Sequence, residues 1–146
     1  MTPKPASDRD GVVAFAKEAF GFLIDVGYRL EVTDEASATT LAYVGDPLTF
    51  EVELDWLDRI AALLVCRTVD GRPPPGYYLH EGRLMRVHLL EALEFGPGAD
   101  RSAASELRHV LGSDGPDAMT AQVSGYASVL RAVIDGLPSY ADRIFP

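Results

Sequence analysis

Glu51, Glu53 and Asp55 alternate with Phe50, Val52 and Leu54 in the run Leu48-Thr49-Phe50-Glu51-Val52-Glu53-Leu54-Asp55. An extended chain carries successive same-side residues roughly 7 Å apart, so this spacing makes a ladder of three carboxylates. Such a ladder binds a calcium ion or a cationic partner, or stands as a solvated strand face. Trp56 follows directly as a large apolar anchor and Asp58 extends the acidic run. Segment 31–60 holds Glu31, Asp34, Glu35, Asp46, Glu51, Glu53, Asp55 and Asp58 against Arg59 alone. Most of the net charge of −9 therefore sits there, and one edge of the molecule is negative.

A second group is basic and aromatic. Arg67, Arg72, His80, Arg83 and Arg86 fall within twenty residues, beside Tyr77 and Tyr78 and around Pro73-Pro74-Pro75. Guanidinium groups next to tyrosines make either a recognition surface or an ordinary pairing network with the acidic strand. Folded against the sheet, the same side chains could line a pocket built from Tyr43, Trp56, Tyr77 and Tyr78, with Arg67 or Arg86 as its polar group and His80 nearby.

Other chemistry is thinly represented. His80, His88 and His109 are too widely spaced for the usual zinc patterns, and only one cysteine, Cys66, exists to join them. His88 and Glu91 stand three apart and read as a hydrogen-bonded pair on one helix face. Cys66 lies in the most apolar run, Ile60 to Cys66, and reads as a core residue rather than a nucleophile. Ser102, Ser105, Ser124 and Ser128 lack a nucleophile-elbow context, and no glycine fingerprint follows a strand. No catalytic residue, metal or cofactor is predicted. A sequence pI near 4.7 argues against phosphate-backbone binding, so nucleic acid is not an expected partner.

The elements that must position these residues follow from period and punctuation. Val12, Phe15, Ala16, Ala19, Phe22, Leu23 and Val26 recur at helical spacing after Ser7 or Asp8, and Gly27 supplies the stop. Residues 28–32 and 39–44 read as strands, the second turning through Gly45-Asp46-Pro47 into the acidic strand. That strand should bury Phe50, Val52 and Leu54 and expose Thr49, Glu51, Glu53 and Asp55. Ile60 to Cys66 is apolar on both faces if extended, which fits a strand covered on both sides or a buried helical turn; the hairpin context favours the strand. The proline stretch 69–76 is a rigid connection, and 77–79 is an optional short strand.

From Arg83 onward, Leu84, Val87, His88, Leu90 and Glu91 predict a largely buried helix ended by Gly96-Pro97-Gly98. Weaker periodicity predicts another over 100–111. A strong stripe of Met119, Val123, Tyr126, Val129, Leu130 and Val133 predicts a third over 117–135, stopped at Gly136. A final turn spans 140–145. The order is an N-terminal helix, an antiparallel meander of three to four strands, then three helices packed on one face. This is an α+β domain over 8–146, preceded by a disordered start at 1–7.

The start has no apolar leader, and the longest apolar run is too short for a bilayer, so a cytoplasmic protein without membrane contact is expected. The features Phe22-Leu23 to Gly27-Tyr28, Leu41-Ala42-Tyr43-Val44, the alternating strand, Leu89-Leu90 and Tyr126-Ala127-Ser128-Val129-Leu130 before Gly136 resemble a loose group of small bacterial α+β proteins. Some of that group are similar to immunity proteins of toxin systems. Gly45-Asp46-Pro47 departs from the asparagine often found after the second strand in that group. The resemblance implies an α+β fold and defines no catalytic residues. Charge and resemblance together favour a non-catalytic interaction protein that presents Glu51, Glu53, Asp55, Trp56 and Asp58 to a basic partner. The alternative is a small-molecule binding module or enzyme using the Arg/Tyr pocket.

Overall fold

The computed structural model describes residues 8–95, 101–112 and 117–146. Residues 1–7, predicted as disordered, lie outside that range, as does the predicted stop at Gly96-Pro97-Gly98. The chain opens with α1 (Asp8–Ala19) and a short α2 (Gly21–Asp25). The periodic stripe therefore bends after Ala19, and Phe20, buried at the junction, packs with Leu23 into the core. Gly27, at φ 102°, makes the predicted turn into the sheet.

Four strands then form a meander: β1 (Arg29–Asp34), β2 (Ala38–Val44), β3 (Leu48–Asp55) and β4 (Ile60–Arg67). After a long connection come a two-residue hairpin, β5 (Leu79–His80) with β6 (Arg83–Leu84), and then β7 (Arg86–His88). Glu81 and Gly82, both at positive φ, form the hairpin turn. The main sheet has the order β1-β2-β3-β4-β7 and every pairing is antiparallel. Helices α3 (Leu89–Phe95), α4 (Arg101–Leu111), α5 (Ala118–Val133) and α6 (Ala141–Ile144) follow, the last entered through a 3-10 turn at Leu137–Tyr140. The fold is α+β, with the helices on one side of an antiparallel sheet. No helix among the described residues is long and apolar enough to cross a membrane.

One expected element is corrected. The stripe from Arg83 does not begin a helix: Arg83–Leu84 and Arg86–His88 are strands, and helix begins only at Leu89. Met85, Val87 and Leu89 are buried, a pattern that also satisfies period two, and pairing of Val87 with Val65 on β4 decides between the periods. His88 is consequently a strand residue.

The sheet's inner face builds the core. Cross-strand register aligns Leu30, Tyr43, Phe50, Val65 and Val87 in one row beneath the helices. Leu107, Val123, Tyr126 and Leu130 meet that face from α4 and α5. At the start of β4, where β7 no longer pairs, the Ala61 N–H donates to Gln122 Oε1 of α5 at 2.8 Å. A helix side chain thereby satisfies a buried strand donor that lacks a strand partner. Gln122→Ala is expected to cost about 1–3 kcal/mol, measured by urea unfolding, because that N–H would be left buried and unpaired.

Candidate functional site

The acidic strand is built as predicted in its pleat but not in its exposure. Phe50, Val52 and Leu54 are buried on the inner face, whereas Thr49 is fully buried and Glu51 only 7% exposed on the outer face. Glu53 and Asp55 are half-buried. The cause is the connection between β4 and β7, which folds as a strap over the outer face. Arg29 donates to the Gly71 carbonyl at one end of the strap, and Val69 and Arg72 exchange backbone hydrogen bonds that tighten its turn. Ala42, Val44, Leu64, Cys66 and Pro74 are buried between sheet and strap.

Arg86 is the clamp. It lies two strands from Glu51, a span of about 10 Å, and its guanidinium reaches across β4. Nε and Nη2 donate to the two carboxylate oxygens of Glu51 at 2.7 and 3.1 Å. Nη1 donates to the carbonyls of Gly76 and Tyr77, both at 2.9 Å, and Nη2 also to that of Pro74 at 3.1 Å. Both side chains are only 9% exposed. Burial alone would lower the pKa of Arg86, but the hydrogen bonds and charge of Glu51 more than offset it and the pKa is raised. The carbonyls of Pro74, Gly76 and Tyr77 lie outside the strands, so a forked cation beneath the strap supplies the donors that a strand neighbour would.

The clamp holds two tyrosines at the surface. Tyr77 donates its hydroxyl to Glu53 Oε2 at 3.0 Å, and the Tyr78 hydroxyl lies 3.0 Å from His88 Nε2. The two rings meet edge to face at 4.5 Å, with the Arg86 guanidinium 5.8 Å from the Tyr77 ring. Burial, then the Glu53 charge and hydrogen bond, raise the Tyr77 pKa, so the phenol stays a donor. Tyr77, Tyr78 and the adjoining Leu79 remain exposed. Cys66, under the strap, has its thiol pKa pushed well up by burial and further by Glu51, against a smaller opposing effect of Arg86. It stays a neutral core thiol at ordinary pH.

The remaining predicted residues are distributed elsewhere. Trp56 donates from Nε1 to Thr39 Oγ1 at 2.9 Å and lies beneath Arg9, 5.1 Å from its ring. Arg9 also pairs with Asp34, whose pKa is lowered by hydrogen bonds from Thr39 and Arg9. Trp56 is thus half-buried in a structural cluster rather than presented. Asp55 accepts the backbone N–H groups of Leu57 and Asp58, stabilising the turn, and Asp58 is exposed.

The proposed Arg/Tyr pocket does not assemble. Tyr43 and Arg67 lie on the inner face, whereas Tyr77, Tyr78 and Arg86 lie on or over the outer face, so the sheet separates them. Tyr43 is packed against Phe20, its hydroxyl has no hydrogen-bond partner among the described residues, and burial raises its pKa to about 12. Arg67 donates to the Phe145 carbonyl at 2.8 Å and covers that ring. His80 sits at the hairpin beside the exposed Glu81. His88 pairs with Tyr78 rather than with Glu91. Among the described residues no group of three or more His, Cys, Asp and Glu side chains could hold a metal ion.

Two contributors do not stand out in the sequence. Pro74 supplies a carbonyl to the clamp, and Gln122 interrupts the α5 stripe between Met119 and Val123. A polar residue inside an apolar helical stripe was the available signal for Gln122. The chain matches no protein family, curated protein or solved structure.

Proposed function

We propose that this chain is a non-catalytic protein-interaction factor, immunity-like in action, whose outer sheet face and tyrosine strap dock a basic protein. The observation that carries this reading is the clamp. A buried ion pair and three carbonyl contacts hold Tyr77 and Tyr78 exposed and fixed instead of letting them collapse into the core. Rigid tyrosines bury area on binding at low conformational cost, which is why they serve as anchors. Glu53 accepts from Tyr77, and Asp55 and the exposed Asp58 continue the negative charge along β3 into its turn, which would steer a basic surface into register.

Glu51 has no part in that charged surface, because Arg86 neutralises it. The test therefore uses Glu53→Gln, Asp55→Asn and Asp58→Asn together, and separately Tyr77→Ser with Tyr78→Ser. A partner captured from the source cells is expected to associate about tenfold more slowly with the charge variant at low salt, the difference shrinking as salt is added. The tyrosine variant is expected to release it faster. Unchanged kinetics in both variants would remove the outer face as the docking surface.

A further inference from the structure

We propose that a lysine or arginine side chain of the basic partner inserts into a pocket at the open end of β4, beside the tyrosine strap; this rests on the docking reading above. β7 pairs only with Leu64–Cys66, so on the side away from β3 the edge of β4 at Ile60–Ala62 has no strand neighbour among the described residues. Gln122 satisfies the Ala61 N–H there, but a single side chain does not fill the place of a strand. What remains is a half-enclosed depression of about 380 Å³. Its walls are apolar, formed by Ile60, Ala62, Leu90, Leu107, Leu111 and Tyr126.

Two polar side chains complete the lining, His88 and Glu91. His88 ties the pocket to the strap through Tyr78. Glu91 is exposed and has no ion-pair partner among the described residues, in contrast to Glu94, which pairs with Arg108 at 3.0 Å. Glu91 is the acidic group of the lining itself, and Glu53 and Asp55 add negative charge one strand away, as the cross-strand neighbours of Ala62 and Ile60. Apolar walls ending in unpaired carboxylate fit an aliphatic stem with a cationic head, the chemistry of lysine and arginine. An anionic chain would face Glu91 in the lining. The pocket opens beside the face that carries the tyrosines, so an anchor placed here and the strap can engage one partner at once.

The probe is n-hexylammonium, which reproduces the stem and head of lysine, titrated into isotope-labelled protein and followed by amide chemical shifts. Saturable shifts are expected at Ala61, Ala62, His88 and Leu90, with a dissociation constant on the order of 1 mM. Hexanol should bind several-fold more weakly and hexanoate more weakly still. Glu91→Gln should weaken hexylammonium by about three- to fivefold, the worth of an exposed ion pair. Ala62→Leu, which places volume in the half-exposed mouth, should block it, and both variants should weaken the captured partner. Absence of saturable shifts, equal binding of hexanoate, or indifference to Glu91→Gln would overturn the pocket. If the pocket fails while the tyrosine variant still loses the partner, the anchor is wrong and the docking face stands. If the tyrosine and charge variants both leave partner kinetics unchanged, the docking face falls and the anchor with it.

Discussion

Arg86→Met is expected to lower the unfolding free energy by about 3–5 kcal/mol, a large part of the stability of a domain this size. The loss is not simply that of one ion pair. The substitution leaves the Glu51 carboxylate buried with no cation and strips the carbonyls of Pro74, Gly76 and Tyr77 of their shared donor. Glu51→Leu with Arg86→Met should regain most of the global stability, since an apolar pair of similar size removes the uncompensated charge. Urea unfolding of both variants against wild type measures this. The alternation of β3 alone would make Glu51→Gln nearly silent; its burial beneath the strap makes it costly instead. Glu53→Gln, half-exposed, should stay within about 0.5 kcal/mol.

Leu130→Ala is expected to cost about 2–5 kcal/mol in the same measurement. Leu130 is fully buried in α5, the helix that packs against both β4 and α1, so truncation opens a cavity at the centre of the core. Collapse of the site is opposed by the sheet below, whose inner face is filled by Phe50, Leu63 and Val65. A cost below about 1 kcal/mol would mean that α5 packs less closely than the buried stripe indicates.

Much of this architecture was legible because local signals agreed. The meander follows from alternation in β3, the turn residues of Gly45-Asp46-Pro47 and the β-branched run of β2. Helices α4 and α5 follow from period 3.6, and α1 and α2 together fill the helical stripe that Gly27 ends, although the bend after Ala19 has no such signal. The segment after Arg83 is not legible as strand, because Leu84, Val87 and His88 satisfy a helical stripe as well as a strand over so short a window, and only long-range pairing with β4 separates the two.

The site was legible in parts that the sequence kept apart. Alternation places Glu51 on the outer face correctly, yet pleating says nothing about what covers that face. The relevant clue lay one strand away. Ile60 to Cys66 was apolar on both sides, and the need to cover Leu64 and Cys66 implied a layer over the outer face that would cover neighbouring Glu51 as well. Tyr43 and Arg67 were grouped with Tyr77, Tyr78 and Arg86 by residue type, and parity along β2 and β4 relative to β3 and β7 places them on opposite sides.

In the proposed docking role, the strap is a recognition surface because Arg86 and Glu51 hold it in place. Amide hydrogen exchange on the Glu51→Leu, Arg86→Met double variant tests this most directly, because global stability is largely kept while the clamp is removed. Exchange at Val69, Arg72 and Met85, whose N–H groups are bonded within or at the base of the strap, is expected to accelerate about tenfold or more while the amides of β2 and β3 hold their rates. Equal protection of the strap with and without the clamp, or a strap already exchanging freely in wild type, would contradict it.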